Sequence, residues 1–263
     1  MLRYRVLGPI EIQAADRPLE IRGRFQRTLL AALLVNPGRL VMAHLLVSEL
    51  WGDNPPGNAE NALQAHVSRL RRKLAKAEPN RRTPRVVSLP SGYRLLAKPD
   101  EVDADRFMQT VTQVRARPDL DPREAIQLLR DALSLWRGPA FGGDLTGFIC
   151  QAAAIRYEEH RASALALLFD KELQIGRHAQ VIAELSEFVE SESLNEGLCA
   201  QLMVALYRAG RQTDALALYR RVRARLADEL GIEPCPTLRD CEHAILSHDP
   251  KLLVRAEPVA VNG

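Results

Sequence analysis

The stretch ALQAHVSRLRRKLAK, Ala62–Lys76, decides how the front of this chain is read. Five of its fifteen residues are permanently cationic (Arg69, Arg71, Arg72, Lys73 and Lys76), and no acid interrupts them. An α-helix turns about 100° per residue, so with Leu63 as origin Val67 falls at about 40°, Leu70 at about 340° and Leu74 at about 20°. These four residues make one narrow core stripe. The opposite side carries Gln64, Ala65, Ser68, Arg69, Arg72 and Lys76, with His66, Arg71 and Lys73 on the flanks. A helix that meets only water usually mixes its charges, because opposite signs at i,i+4 support it. Here the cations repel one another until a polyanion arrives. The first half of the outward face is small or neutral and the second half is cationic. That order suits a reading helix, with short polar groups against base edges and long cations reaching phosphates or a guanine.

The flanking sequence supplies a frame for such a helix. Residues 1–22 read as short strands: Tyr4–Leu7, a Gly8-Pro9 break, Ile10–Ile12, a turn at Ala15–Pro18, then Leu19–Ile21. From about Gly23 a helix places Phe25, Leu29, Leu30, Leu33 and Leu34 on one apolar face and stops at Asn36-Pro37-Gly38. A second helix, about Met42–Trp51, is expected to bury Leu45, Leu46 and Leu50. Gly52-Asp53-Asn54-Pro55-Pro56-Gly57 cannot be helical and reads as a stiff, exposed loop. Asn58 then caps the third helix, and Glu60 suits the positive end of its dipole. Beyond it, RVVSLPSGYRLL (Arg85–Leu96) is a hairpin turning at Pro90-Ser91-Gly92, with Arg94 just past the tip. A wing of this kind presents its arginine to a narrow minor groove, where the potential is most negative. Tyr93 reads either as hairpin core or as a hydroxyl contact to phosphate.

The bulk numbers agree with a globular protein of more than one domain: 263 residues, 46% hydrophobic and 26% charged. The net charge of +3 conceals a split. Residues 1–98 hold 17 Lys/Arg against 7 Asp/Glu, whereas residues 99–263 hold 19 against 26. A front half at +10 is suited to a polyanion and a back half at −7 is not. Arginine outnumbers lysine 31 to 5, but it does so in both halves, so base composition explains it better than selection for phosphate. No run of eighteen apolar residues exists, and MLRYRVLGPIEI is too polar for a signal peptide, so a cytoplasmic, nucleoid-associated protein with no membrane partner is expected. Cys150, Cys199, Cys235 and Cys241 show no C-x-x-C pair and read as reduced thiols; a metal site from Cys235, Cys241 and His243 lacks the usual spacing and a fourth ligand. No metal or other cofactor is expected.

From Val102 onward the pattern is helical only, and it repeats. Gly176-Arg177 recurs as Gly210-Arg211, Ile182-Ala183 as Leu216-Ala217 and Leu168 as Leu202, each 34 residues apart. That is the period of the tetratricopeptide helical hairpin. An earlier copy of the second helix lies at Ala125–Leu129, matching Ala215–Tyr219. The glycine usual in the first helix is replaced by Phe169 and Met203, which marks the array as divergent. The fold class is therefore an α+β winged helix-turn-helix followed by an all-α tetratricopeptide-like domain. The boundaries are 1–98 and 99–250, with a frayed tail over 251–263.

With these motifs in view, residues about 4–97 resemble the OmpR-type winged helix, through HVSRLRRKL and SLPSGYRL. Residues about 103–248 resemble the bacterial transcriptional activator domain, through LWRGPAF (Leu135–Phe141), LYRAGRQTDALALYRRVRARLADELGIEP (Leu206–Pro234) and TLRDCEHAIL. The two in this order resemble the Streptomyces antibiotic regulatory protein family. The resemblance implies an activator of a secondary-metabolite gene cluster. Such a protein binds direct repeats in double-stranded DNA near the promoter −35 element and recruits RNA polymerase holoenzyme through its sigma factor. It also implies roles for particular residues. Gln64, Ser68, Arg69 and Arg72 would face the major groove, while His66, Arg71, Lys73, Lys76 and Arg24 would lie nearer phosphates. Arg94 would enter the minor groove. The loop Gly52, Asp53, Asn54, Pro55, Pro56, Gly57 and Asn58 would contact the polymerase. A side-by-side homodimer on tandem sites about one helical turn apart would place both copies on one face of the duplex. No receiver domain is expected before the winged helix, and no nucleotide-binding lysine loop after the helical part.

Two other classes compete. An enzyme would need a nucleophile elbow, an H-E-x-x-H motif or a Cys/His cluster; none is present, and the histidines are scattered at positions 44, 66, 160, 178, 243 and 248. A tetratricopeptide-like adaptor or repressor shares every feature of the helical half and differs in what the basic front half binds. Salt separates them, since a reader of DNA loses affinity steeply with log[salt] yet keeps its preference for one promoter.

Overall fold

The computed structural model describes residues 2–14, 17–191 and 195–253. Ala15 and Asp16 of the expected first turn lie outside the described residues, as does the expected tail from residue 254 onward. The chain forms two compact units, residues 1–113 with 131–162, and residues 114–130 with those from 163 onward.

The first unit opens with an antiparallel sheet, β1 (Leu2–Arg5), β2 (Glu11–Ala14) and β3 (Arg17–Leu19), in that order. Tyr4 pairs with Ile12 and Ile12 with Leu19, so the alternating apolar residues share the covered face. Then follow α1 (Arg24–Leu34), β4 (Val41–Met42), α2 (Ala43–Trp51), α3 (Ala59–Ala77), β5 (Val86–Leu89), β6 (Gly92–Leu95) and most of α4 (Asp103–Arg115). Helices α1 to α3 and the hairpin β5–β6 make a winged helix-turn-helix. As the periodicity requires, Leu63, Val67, Leu70 and Leu74 are buried, and the Asn58 side chain accepts from the Asn61 amide at 3.2 Å.

Three local expectations are corrected. Met42 is not the first residue of α2 but part of β4, which pairs with β6 to give a sheet of order β4-β6-β5. A two-residue strand carries no readable alternation and exists because β6 offers it an edge. A Cβ on Gly92 would lie 2.1 Å from the Val41 carbonyl oxygen, so only glycine permits this pairing. Phe25, expected in the core stripe of α1, is 38% exposed; its ring centroid lies 5.7 Å from that of Trp51 and 5.4 Å from that of His66. Leu45 is 44% exposed, and Glu49, one turn further along α2, is buried together with Leu46 and Leu50. The reason is a long-range cap. The Glu49 carboxylate accepts from the amides of Ile149 at 2.7 Å and Cys150 at 3.0 Å, in the first turn of α6 (Phe148–Gln174). Those amides have no partner inside their own helix, and an anion there meets the positive end of the dipole.

The second unit holds most of α5 (Pro122–Leu133), the end of α6, and α7 (His178–Ser191), α8 (Glu196–Arg208), α9 (Gln212–Leu230) and α10 (Pro236–Leu246). The 34-residue repeat is visible down to single hydrogen bonds. Arg177 N donates to Glu172 O and Gly176 N to Leu173 O; Arg211 N donates to Leu206 O and Gly210 N to Tyr207 O. This is the Schellman closure, and both glycines adopt the left-handed conformation it demands, at φ 79° and 76°. Phe169 and Met203, which replace the usual glycine, are both fully buried. Arg130 of α5 joins α6 and α7 through Glu172 at 2.6 Å and Glu184 at 2.9 Å. No helix among the described residues is long and apolar enough to cross a membrane. Cys150, Cys199 and Cys241 are buried free thiols, and Cys235 is half-buried.

Candidate nucleic-acid interface

The outer face of α3 holds Gln64, Ser68, Arg69, Arg72 and Lys76, all exposed. Among the described residues no hydrogen bond or ion pair engages any of these five side chains. The cations are therefore left unneutralised along one side of a helix whose other side is sealed into the core. An acid-free row of this kind raises the local potential and favours a polyanion over a neutral surface.

The flanking residues are placed differently. Arg71 donates from Nε to the Val86 carbonyl at 2.7 Å and from Nη2 to Ser88 Oγ at 2.8 Å, which fastens α3 to the first strand of the wing. Lys73 Nζ donates to the Glu20 carbonyl at 3.3 Å. Arg24, at the start of α1, donates to Thr146 Oγ1 at 2.6 Å. Arg94 lies three residues past the exposed Pro90-Ser91 turn, opposite Val87; it is half-buried, and its Nε has no hydrogen-bond partner among the described residues. Tyr93 is buried between Val41 and Ser88 in the sheet register, on the core side of the two readings. Gly52 to Asn58 are all exposed, and Gly52 takes a positive φ of 59° where α2 ends.

His66 is drawn into the domain. Gln26 Nε2 lies 3.0 Å from its Nδ1 and 3.1 Å from its carbonyl oxygen, and Phe25 and Trp51 close around the ring. Burial, with Arg69 alongside, holds the imidazole below its ordinary 6.5. The folded form binds fewer protons than the unfolded one, so this contribution to stability is complete above about pH 6.5 and is lost as pH falls through the ordinary value toward the lowered one. Melting wild type and His66→Phe at about pH 7 and about pH 5 is expected to show a smaller acid loss in the variant. Equal losses would clear His66 of that role.

The sequence reading missed what positions the site: β4 as third strand of the wing, the Arg71 clamp, and the ring cluster of Phe25, Trp51 and His66. The spacing of Phe25 and Trp51 from His66 carries no periodic signal. Arg71 at the flank angle was the one local hint.

A further bond set holds the C-terminal end of α3. Arg85, at the start of the hairpin, donates to both carboxylate oxygens of Glu78 (2.6 and 2.7 Å), to both of Glu101 (2.6 and 2.8 Å) and to the Leu96 carbonyl (2.8 Å). Among the described residues no group of three or more His, Cys, Asp or Glu side chains is placed to hold a metal ion.

Comparison with known proteins fits this geometry. Residues 22–95 match the family model for the C-terminal part of transcriptional regulatory proteins, and residues 102–246 match that of the bacterial transcriptional activator domain. Transcriptional regulator RedD of Streptomyces coelicolor is 44% identical over 96% of this chain and 73% of its own length. Regulatory protein AfsR of the same organism is 38% identical over 95% of this chain, which spans only 25% of AfsR. The solved structure of Mycobacterium tuberculosis EmbR, in complex with a low affinity phosphopeptide, superposes with a TM-score of 0.87 at 34% identity, covering 95% of this chain and 66% of that one.

Proposed function

We propose, because the chain belongs to the Streptomyces antibiotic regulatory protein family of transcriptional regulators, that it activates a secondary-metabolite gene cluster by reading tandem direct repeats near the promoter −35 element. Residues 1–98 bind the duplex and residues 99–250 serve activation and assembly. Gln64, Ser68, Arg69 and Arg72 read the major groove, Lys76 meets phosphate and Arg94 approaches the minor groove. The carrying observation is the exposed, acid-free face of α3, unpaired among the described residues, beside a wing clamped to it by Arg71. The clamp matters because helix and wing must meet two grooves at once, and a loose wing would pay for its ordering on binding.

Two copies side by side on repeats one turn apart would share one face of the DNA. The loop Gly52–Asn58 then faces RNA polymerase holoenzyme with its sigma factor. Its prolines keep it extended without help from neighbours.

The test is footprinting on promoters beside the gene, followed by reconstituted transcription with RNA polymerase. A protected pair of repeats, affinity that falls linearly with log[salt], and retained preference over random duplex support the reading. Affinity without preference would instead support an adaptor whose basic front half binds polyanions generally. Replacing Pro55 and Pro56 with alanine is expected to leave the footprint intact and to lower transcription severalfold. A joint fall in gel shift and transcription would remove the loop from its assigned role.

A further inference from the structure

The segment that leads into α6 lies against the first two helices of the winged helix. Along it exposure alternates: Leu145 is buried, while Asp144 and Thr146 on either side are exposed. The segment is also fixed at its far end. The Glu49 carboxylate holds the amides of Ile149 and Cys150. A Cβ on Gly147 would come 2.2 Å from the Glu49 carboxyl carbon, so glycine is what lets the chain pass this close. Asp144 and Thr146 are therefore presented to α1 by a backbone anchored on both sides of them.

Two arginines of α1 occupy these acceptors. Arg24 Nη2 donates to Thr146 Oγ1 at 2.6 Å, and Arg27 Nη2 donates to Asp144 Oδ2 at 3.1 Å. This end of α1 borders the reading helix. The Phe25 ring centroid lies 5.4 Å from that of His66, and Gln26 Nε2 lies 3.0 Å from His66 Nδ1. Arg69 follows His66 by three residues, on the same flank of α3. Arg24 and Arg27 thus stand beside the cationic side of α3, but each is already held by an acceptor of its own chain.

We infer that Asp144 and Thr146 limit the DNA affinity of this protein by keeping Arg27 and Arg24 on internal acceptors that duplex phosphates must displace. The inference rests on the proposed reading of DNA, in which Arg24 lies near phosphate, and it adds Arg27 as a second such contact. A guanidinium bonds a charged acceptor more strongly than a neutral hydroxyl, so phosphate takes Arg24 from Thr146. Arg27 leaves a carboxylate behind, and the bared Asp144 repels the phosphate that replaced it. Both internal contacts are exposed and so individually weak, which makes them tune affinity and not abolish it.

Competition binding of the full chain to promoter and random duplex, over a range of salt, tests this. Thr146→Val keeps shape and charge but removes the acceptor. It is expected to tighten binding about two- to fivefold on both duplexes and to steepen the salt slope by up to about 0.9, one more phosphate neutralised. Adding Arg24→Ala should erase that gain. Asp144→Asn should also tighten binding, and by more with Arg27 present than beside Arg27→Ala, since relief of repulsion alone is equal in the two backgrounds. Both replaced side chains are exposed, so the variants should melt as wild type does, and loss of a structural role does not produce a gain in affinity. Thr146→Val binding as wild type or more weakly, a gain that survives Arg24→Ala, or an Asp144→Asn gain indifferent to Arg27 would each overturn the inference. Wild type without salt-dependent DNA binding would instead remove the DNA reading itself, and this inference with it.

Discussion

Replacing Arg85 with alanine is expected to destabilise the first unit by about 3–5 kcal/mol, the range seen when one partner of a buried ion pair is removed. The Arg85 side chain is 4% exposed, as is that of Glu101. Its bonds to Glu78 and Glu101 hold the end of α3, the root of the wing and the 3-10 turn Pro99–Glu101 together. Burial alone would raise the Glu101 carboxyl; the hydrogen bonds from Arg85 and from the Lys98 amide bring it below its ordinary 4.5. For Glu78 the Arg85 bonds dominate and lower it outright. Without the guanidinium, both carboxylates lose what holds them ionised.

Depressed carboxylates stabilise the fold above their ordinary pKa and cease to do so as pH falls through the lowered one. Wild type should therefore lose stability on acidification below about pH 4.5, and the alanine variant should lose less. Urea unfolding of both proteins at neutral and acid pH measures this. A second variant separates charge from volume: with Arg85→Met, Glu78→Leu and Glu101→Leu together, most of the loss should return, since an apolar replacement of a whole buried network is often near neutral. An alanine variant within about 0.5 kcal/mol of wild type would show that the network holds nothing.

Arg69→Ala combined with Arg72→Ala is expected to have the largest effect on DNA binding, about 1–3 kcal/mol for each side chain that pairs with a guanine. Both side chains are exposed, and among the described residues neither has a partner, so the fold should melt as wild type does. Competition binding against promoter and random duplex reads the outcome. A base reader loses preference for the promoter. A phosphate contact lowers affinity for every sequence alike and reduces the salt slope by about 0.9 per cation. Equal weakening everywhere would take Arg69 and Arg72 out of the major groove.

Much of the frame was legible before any coordinates. The core stripe of α3, the Asn58 cap, the breaker at Gly52–Gly57 and the Pro90-Ser91 hairpin each arise within a few residues, where backbone sterics and periodicity are nearly the whole story. The tetratricopeptide period was equally plain, because a repeat prints its turn chemistry twice, at Gly176 and Gly210. The candidate site was half legible. The outward face of α3 follows from helical angle alone, and angle sets Arg72 outward and Arg71 on the flank, but it does not reveal that Arg71 is tied to the wing. Periodicity also ranked Phe25 and Leu45 as core, although the two helices present them outward.

Local pattern thus established which segments are helices and strands, where they stop, and which side of the third helix is cationic. The assembled fold settled the partners: Glu49 on the amides of α6, Arg85 between two glutamates, β4 on the edge of β6, His66 inside a ring cluster. The physical reason is range. A helix or turn is decided by neighbours within about one or two turns of chain, whereas a buried carboxylate or guanidinium is tolerated only where donors or acceptors from distant segments surround it. Glu49 and its amide donors stand a hundred residues apart, and no local rule links them.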